Sequence, residues 1–211
     1  MFYGITNEGY VFDSNDIEYQ VEEFEQGKVQ TLFITGHSGS GKSTLGYKYE
    51  KELGDICYEL DVIAWNYNLN DWQLMAYLPD LYEWFKGPGK KYRLDSSATF
   101  GDIDLIQAST DFIRYILSKN IRCIVEGITI FQALDEGILK IEEFKNSAMI
   151  IKGTSVTKST VRALKRDYAH IKKEDPNIKL NAIPFNYFVN RVKYALHNED
   201  LLREMRKKYK K

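Results

Sequence analysis

The stretch TLFITGHSGSGKSTLGYKY, residues 31–49, decides how this chain folds. Its first five residues, Thr31–Thr35, are apolar or β-branched and are typical of a buried strand. The residues that end the stretch predict a helix. Between strand and helix lies a pattern of glycine, four residues, then glycine, lysine and serine, formed by Gly36, Gly41, Lys42 and Ser43.

A glycine-rich turn in this position is suited to binding phosphate. Glycine lets backbone N–H groups wrap around phosphate oxygens, and the start of the following helix adds favourable dipole charge. Lys42 would place its charge on the β- and γ-phosphates, and Ser43 would give its hydroxyl to Mg²⁺. We expect the lysine to face solvent until a nucleotide binds. The sequence predicts that the phosphates of a nucleotide and Mg²⁺ bind to the loop residues Gly36, Ser38, Gly39, Ser40, Gly41, Lys42, Ser43 and Thr44.

Two other interpretations compete with phosphate binding. A glycine-rich turn can connect a strand to a helix and bind nothing. A serine nucleophile elbow is excluded, because its G-x-S-x-G pattern needs glycine at the position of Ser40.

Three further apolar runs predict strands that join Thr31–Thr35 in one parallel sheet; they lie at residues 56–60, 121–125 and 148–151. Helical stretches alternate with them, which indicates right-handed crossover connections in an α/β fold. Ligands in such sheets bind at the carboxyl ends of the strands. The residues that directly follow each strand are therefore the candidates for chemistry.

Two segments extend this core. The interval 62–120 is too long for a simple crossover, and it predicts a helical insert that covers the substrate. The first thirty residues predict a hairpin around positions 7–9 and then a polar helix, as an extension of a domain that spans 31–211. No run after position 180 predicts a fifth parallel strand.

Composition limits the classes of protein that this chain can belong to. The 211 residues are 44% hydrophobic, enough for one sizeable core, and the 29 basic and 30 acidic residues nearly cancel, so any anion site must be local. Cys57 and Cys123 lie in apolar runs without the spacing of a metal knuckle or redox pair. No signal segment or membrane-length apolar stretch is present, which predicts a soluble, cytoplasmic protein.

Two acids end predicted strands. Asp61 follows ICYEL, where a carboxylate would orient an acceptor hydroxyl or, alternatively, cap the following turn. Glu126 ends the third strand in CIVEGI and would hold the hydration shell of Mg²⁺. A buried glutamate is costly without such a partner, although a loop acid that reaches solvent is the simpler alternative. The roles of the two acids are interchangeable at this point.

Two arginines follow the fourth predicted strand. In TSVTKSTVRALKRDY, Arg162 and Arg166 lie one helical turn apart, so both guanidinium groups can approach one anion. The same spacing also fits a solvated basic face of a helix.

With this loop, a single acid after the second strand and an acid that ends the third, the chain resembles the small-molecule and nucleotide kinases of the P-loop superfamily, such as adenylate, shikimate and uridine kinases. The match covers residues 31–167. The resemblance implies a three-layer P-loop NTPase fold with a parallel sheet, a helical insert between strands 2 and 3, and a helical lid at about 154–180. It also implies ATP- and Mg²⁺-dependent transfer of the γ-phosphate to a nucleotide, nucleoside or other small acceptor.

The resemblance assigns roles to individual residues. It places Asp61 at the accepting hydroxyl, Glu126 at the metal and Thr44 at the α-phosphate. It places Arg162 and Arg166 in the lid, where they would neutralise charge on the transferred phosphoryl group. The preference for ATP over GTP comes from the resemblance alone.

Other functions stay open. The basic tail RKKYKK, 206–211, would suit a nucleic-acid kinase that acts on a modified base or an end, although such a tail is more often a solvated terminus. A non-catalytic nucleotide-binding or NTPase module is the alternative from another class. A GTPase is disfavoured because no N-K-x-D motif occurs.

Two weaker clusters lie in the insert. Lys90, Lys91 and Arg93 would reach a phosphate on the substrate or form a hydrated loop. The tryptophans would stack on a base or pack in the core; they are Trp65, Trp72 and Trp84. The spacing of the three histidines favours no metal site; they are His37, His170 and His197.

Overall fold

The computed structural model describes residues 2–5, 11–13, 17–36, 38–65, 71–92, 104–153, 155–174, 176 and 185–209. Six strands of this part of the chain form one sheet. In chain order they are β1 (Phe2–Ile5), β2 (Val11–Asp13), β3 (Thr31–Thr35), β4 (Cys57–Glu59), β5 (Cys123–Glu126) and β6 (Ala148–Lys152).

Helices connect these strands and follow the last one. Two of the connections also contain short 3-10 helices, at Pro79–Leu81 and Pro88–Tyr92 between β4 and β5, and at Ile141–Phe144 between β5 and β6. The α-helices are α1 (Ile17–Glu25), α2 (Lys42–Leu53), α3 (Leu60–Trp65), α4 (Asp71–Tyr77), α5 (Tyr82–Lys86), α6 (Leu105–Lys119), α7 (Ile128–Asp135), α8 (Val156–Glu174) and α9 (Phe185–Tyr209).

The strands are arranged in the order β2-β1-β6-β3-β5-β4. Strands β6, β3, β5 and β4 are mutually parallel, whereas β1 is antiparallel to both β6 and β2. The predicted α/β fold with a parallel sheet is therefore confirmed. Strand β3 lies between β5 and β6, so the glycine-rich turn leaves the middle of the sheet with a strand end on each side.

Alternation along β3 separates two cores. Leu32 and Ile34 pack with Phe24 of α1 and with residues of α2, whereas Phe33 points to the other face. There Phe33 meets the ring of Phe144 edge to face, with the ring centroids 4.9 Å apart. Since helices cover both faces, the sheet is the middle of three layers.

The predicted insert is mostly helical in its described residues, 62–65, 71–92 and 104–120. Trp84 is fully buried and packs against Phe112 and Tyr115, with ring centroids 5.4 and 5.2 Å away, so core packing is confirmed for this tryptophan. Trp72 is 64% exposed on α4. The side chain of Trp65 lies outside the described residues.

The N-terminal residues add two strands to the sheet, in the region where the sequence predicts a hairpin. Strands β1 and β2 pair antiparallel, and the turn around positions 7–9 lies outside the described residues. Strand β1 also pairs along β6, and Gln20 of α1 accepts a hydrogen bond from the backbone N–H of Met149. In the ranges described after residue 153, no strand follows β6, and β1 occupies the place beside it.

Three of the predicted strands have different bounds in the structure. The run 56–60 forms a strand only over Cys57–Glu59, because Leu60 already begins α3. The run 121–125 shifts to Cys123–Glu126, and the run 148–151 gains Lys152. Pairing decides these bounds, since β4 matches β5 from Cys57–Ile124 to Glu59–Glu126.

Helices α8 and α9 pack against each other after β6. Asp167 of α8 accepts a hydrogen bond from Tyr187 of α9, and its carboxylate lies 2.6 Å from the guanidinium of Arg191. Ala163 and Ala195 are buried, one on each helix. No helix among the described residues is both long enough and apolar enough to cross a lipid bilayer.

Candidate functional site

The glycine-rich turn packs directly against β6. Gly36 has φ 137°, and a Cβ atom there would lie 2.1 Å from the carbonyl oxygen of Lys152, so only glycine fits. Gly41 precedes α2 with φ 85° and ψ 28°, in the left-handed region. The turn therefore requires glycine at both ends, as the sequence predicted. At Gly36 the reason is close contact with β6, and at Gly41 it is the left-handed backbone conformation.

The serine and lysine of the pattern meet Glu126 across the sheet. Ser43 Oγ donates to Glu126 Oε1 over 2.7 Å, and Lys42 Nζ lies 3.9 Å from Glu126 Oε2. Residues 83 positions apart in the chain meet here because β5 is the parallel neighbour of β3, with Ile34 paired to Glu126. The structure thus brings together the two groups that the sequence assigned to the metal.

The carboxylate of Glu126 lies in an unfavourable environment. It is 3% exposed, and Oε2 has no hydrogen-bond partner among the described residues. Burial raises the pKa of Glu126 to about 7, although Lys42 and Ser43 act to lower it and the charges of Glu59 and Asp61 raise it further. A cation beside this carboxylate would relieve that cost.

The residues present fit a magnesium ion. Ser43 and Glu126 offer oxygen atoms, which Mg²⁺ prefers, and the buried Oε2 is an acceptor without a donor in the described structure. Within the described ranges, no cluster of three histidine, cysteine or acidic side chains could hold a metal by itself.

The expectation that Lys42 faces solvent is wrong. Lys42 is buried, with 9% of its surface exposed. The reason is tertiary, since the buried carboxylate of Glu126 attracts the ammonium into the sheet edge.

Asp61 is the second residue of α3, just beyond the end of β4. It is exposed, and its charge is close enough to raise the pKa of Glu126. In the first helical turn, a carboxylate interacts favourably with the helix dipole. Nearby, a hydrogen bond from Tyr47 to Glu59 raises the pKa of Tyr47 to about 12. This edge of the site is therefore acidic.

The two predicted arginines have different partners. Arg162 of α8 donates to the carbonyl oxygen of Gly39 in the turn, over 3.2 Å. Arg166 donates to Asp167 beside it, over 3.3 Å. Of the pair that was expected to approach one anion, Arg162 is the one that the structure places against the loop.

Sequence reasoning missed two residues of this site. Lys152, the last residue of β6, donates to the carbonyl oxygen of Gly41 over 2.9 Å. Thr35, the last residue of β3, donates to the carbonyl oxygen of Gly127 over 2.8 Å and so ties the turn to the end of β5. The sequence contained a signal for both, since Lys152 directly follows the apolar run 148–151 and Thr35 ends the run 31–35, at the carboxyl edge of the sheet.

Other predicted ligands vary in exposure. Ser40 is buried, and its hydroxyl has no hydrogen-bond partner in the described part of the chain, whereas Thr44 is exposed on α2. In the insert, Lys91 forms an ion pair with Asp111 over 2.6 Å. Arg93 and His37 lie outside the described residues.

No known protein-family model matches this chain, and no curated protein matches it.

Proposed function

We propose that this protein is an ATP- and Mg²⁺-dependent phosphotransferase of the P-loop kinase type. It transfers the γ-phosphate to a nucleotide, a nucleoside or another small acceptor with a hydroxyl or phosphate group. One observation carries the proposal: Lys42 and Ser43, at the start of a helix that follows a glycine turn, both contact the buried Glu126 on the adjacent parallel strand.

The loop contributes positioning and charge. Its backbone N–H groups and the start of α2 would hold the phosphates, and the buried hydroxyl of Ser40 is a donor that has no other partner among the described residues. Lys42 and Arg162 supply positive charge. Phosphoryl transfer depends mainly on such positioning and electrostatic stabilisation.

Ser43 and Glu126 would hold the metal. Mg²⁺, when bound, neutralises negative charge on the phosphate oxygens. Glu126 is suited to this role because its carboxylate is already buried next to a hydroxyl.

Asp61 is the residue that we assign to the acceptor. In the proposed step, the acceptor oxygen forms a bond to the γ-phosphorus, and the bond from that phosphorus to the β-phosphate oxygen breaks. The proton of the acceptor hydroxyl passes to the Asp61 carboxylate, and ADP leaves. Exposure of Asp61 at the carboxyl edge leaves it accessible to an acceptor.

We also propose a cytoplasmic location. Cys57 and Cys123 are both free, so they form no disulfide with each other. Burial raises the pKa of Cys57 to about 12, which makes this thiol unreactive. Such cysteines suit a reducing compartment.

An acceptor screen tests the function. Purified protein is incubated with ATP, Mg²⁺ and a library of nucleosides, nucleotides, small metabolites and oligonucleotides, and ADP release is measured against ATP alone. One class of acceptor should raise ADP release above that background. Dependence on an oligonucleotide alone would favour a nucleic-acid kinase, and ATP hydrolysis without acceptor dependence would favour an NTPase module. Absence of binding to any nucleoside di- or triphosphate would refute the proposal.

A further inference from the structure

Lys152 contacts the glycine turn at both of its ends. Its backbone carbonyl oxygen lies 2.1 Å from the position that a Cβ atom of Gly36 would take. Its ammonium donates to the carbonyl oxygen of Gly41. Sheet register explains this reach, since Thr35 pairs with Ile151, and the next residue of β6 is therefore level with the start of the turn. The proposed transfer reaction assigns no role to this lysine.

Arg162 joins Lys152 on the same side of the turn. The ideal Cβ position of Gly41 lies 3.3 Å from Lys152 Nζ and 3.9 Å from Arg162 Nη1, so both cations converge beside one glycine. Burial lowers the pKa of Lys152, and the charge of Arg162 lowers it further. Two cations held this close repel each other, which a protein tolerates where the position has a use.

The hydrogen bonds of these cations constrain the backbone of the turn. A peptide unit is planar and trans, so its C=O and its N–H point in opposite directions. The carbonyl of Gly41 accepts from Lys152 Nζ and, over 3.2 Å, from the backbone N–H of Leu45 in α2, so these two donors together direct the N–H of Lys42 away from Lys152. Arg162, by holding the carbonyl of Gly39, directs the N–H of Ser40 away from α8.

We propose that Lys152 and Arg162 form a cationic brace that positions the backbone N–H groups of Lys42 and Ser40 to bind a nucleoside di- or triphosphate. In this brace both are positioning residues, because they act through the carbonyls of the turn; Arg162 also supplies positive charge near the phosphates. This inference rests on the proposed function and adds a second lysine, outside the sequence motif, on which polyphosphate affinity depends.

Substitution at Lys152 tests the brace. Lys152→Met removes the charge and keeps the length of the side chain, and Lys152→Arg keeps a cationic donor. ADP and adenosine affinities are measured by calorimetry on the full chain. We expect Lys152→Met to weaken ADP about ten- to a hundredfold, as for loss of a charged hydrogen bond, and to leave adenosine affinity unchanged. Lys152→Arg should recover most of the loss. Lys119→Met, at the exposed end of α6, is the matched control.

A second readout does not depend on nucleotide binding. In ¹H–¹⁵N spectra of the free protein, the amide signal of Lys42 should move in Lys152→Met and stay in place in Lys119→Met, because the brace fixes that peptide plane. Wild-type protein that binds no ADP would refute the proposed function and leave this spectral test standing. Wild-type protein that binds ADP, with Lys152→Met binding it within about twofold, would overturn the brace.

Loss of folding in Lys152→Met would not leave the inference untested. Arg162 is exposed on α8, so Arg162→Met should fold, and it removes the other half of the brace. Unchanged ADP affinity and an unmoved Ser40 amide signal in that variant would equally overturn the proposal.

Discussion

The two sides of the glycine turn hold it in different ways. On the β5 side, Glu126 contacts the side chains of Lys42 and Ser43. On the β6 side, Lys152 and Arg162 each donate a hydrogen bond to a backbone carbonyl of the turn. Charge differs as well, since the first side is anionic and the second is cationic. One side thus controls the side chains that act on metal and phosphate, and the other controls the direction of the backbone.

This difference predicts separate phenotypes. Changes on the β5 side should affect turnover and the requirement for Mg²⁺. Changes on the β6 side should affect affinity for the polyphosphate, as the brace requires. The variants that follow would break or sharpen this separation.

The largest expected effect is that of Lys42→Ala. Loss of the lysine ammonium removes a positive charge that would stabilise the phosphates and leaves Glu126 without its cation. We therefore expect kcat/KM to fall about 10²- to 10³-fold. Lys48→Ala, on the exposed face of the same helix, is the control and should stay near wild type. Turnover that is unchanged in Lys42→Ala, measured by ADP release, would remove the β5 side from the chemistry.

Glu126→Gln should act next most strongly, through the metal. The amide keeps the size of the side chain and loses its charge, so the Mg²⁺ concentration that gives half-maximal activity should rise about 10- to 100-fold. Affinity for ADP without Mg²⁺ should not fall. Titration of activity and of ADP binding against Mg²⁺ separates the two quantities, and equal Mg²⁺ dependence in variant and wild type would contradict the assignment.

Glu126→Gln should also change how stability depends on pH in the absence of metal. The pKa of Glu126 is raised from 4.5 to about 7 by burial, so the folded state binds a proton that the unfolded state has lost between these values. This carboxyl therefore lowers the free energy of unfolding as pH rises through that window, by on the order of 3 kcal/mol. Denaturant unfolding at pH 5 and pH 8 should show a smaller decline in the variant than in the wild type; equal declines would sink this prediction.

Asp61→Asn should moderately lower kcat. We expect kcat to fall about tenfold or more, with KM for ATP little changed, because the carboxylate faces the acceptor and not the nucleotide. A purely structural role at the start of α3 predicts about 1 kcal/mol of lost stability and normal kcat. Steady-state kinetics and thermal unfolding of the same sample distinguish these outcomes.

The smallest effect belongs to Asp167→Asn, which lies away from the turn. Burial acts to raise the pKa of Asp167, but the hydrogen bond from Tyr187 and the charges of Arg191 and Arg166 lower it overall. Its stabilisation should thus be complete above the unfolded pKa of 3.8 and disappear as pH falls below that value.

At pH 7 the Asp167→Asn variant should lose about 1 kcal/mol of stability, with ADP affinity within twofold of wild type. Denaturant unfolding at pH 7 and at pH 3 provides the measurement. A large loss of ADP affinity would show that contact between α8 and α9 supports the brace, and would blur the separation between the two sides.

Local sequence predicted the turn, the strand before it and the helix after it, because glycine spacing and apolar runs act over a few residues. Glu126 and the other parallel strands followed from the same periodicity. Local pattern also overextended the second strand, since propensity does not show that Leu60 leaves the ladder to begin α3. Nothing local showed that Arg162 would reach the turn, since Gly39 lies 123 positions away in the chain.

By itself, the sequence determined that this protein has a glycine turn at the carboxyl edge of a parallel sheet, with an acid at the end of a later strand. Only the tertiary structure decided that β5 and β6 flank β3, that Lys42 is buried against Glu126, and that Lys152 holds Gly41. The physical reason is the distance in sequence over which interactions act. Helix and strand propensities and turns depend on neighbours in the chain, whereas the order of the strands brings together residues that are distant in sequence. The chemistry of the site depends on that second kind of contact.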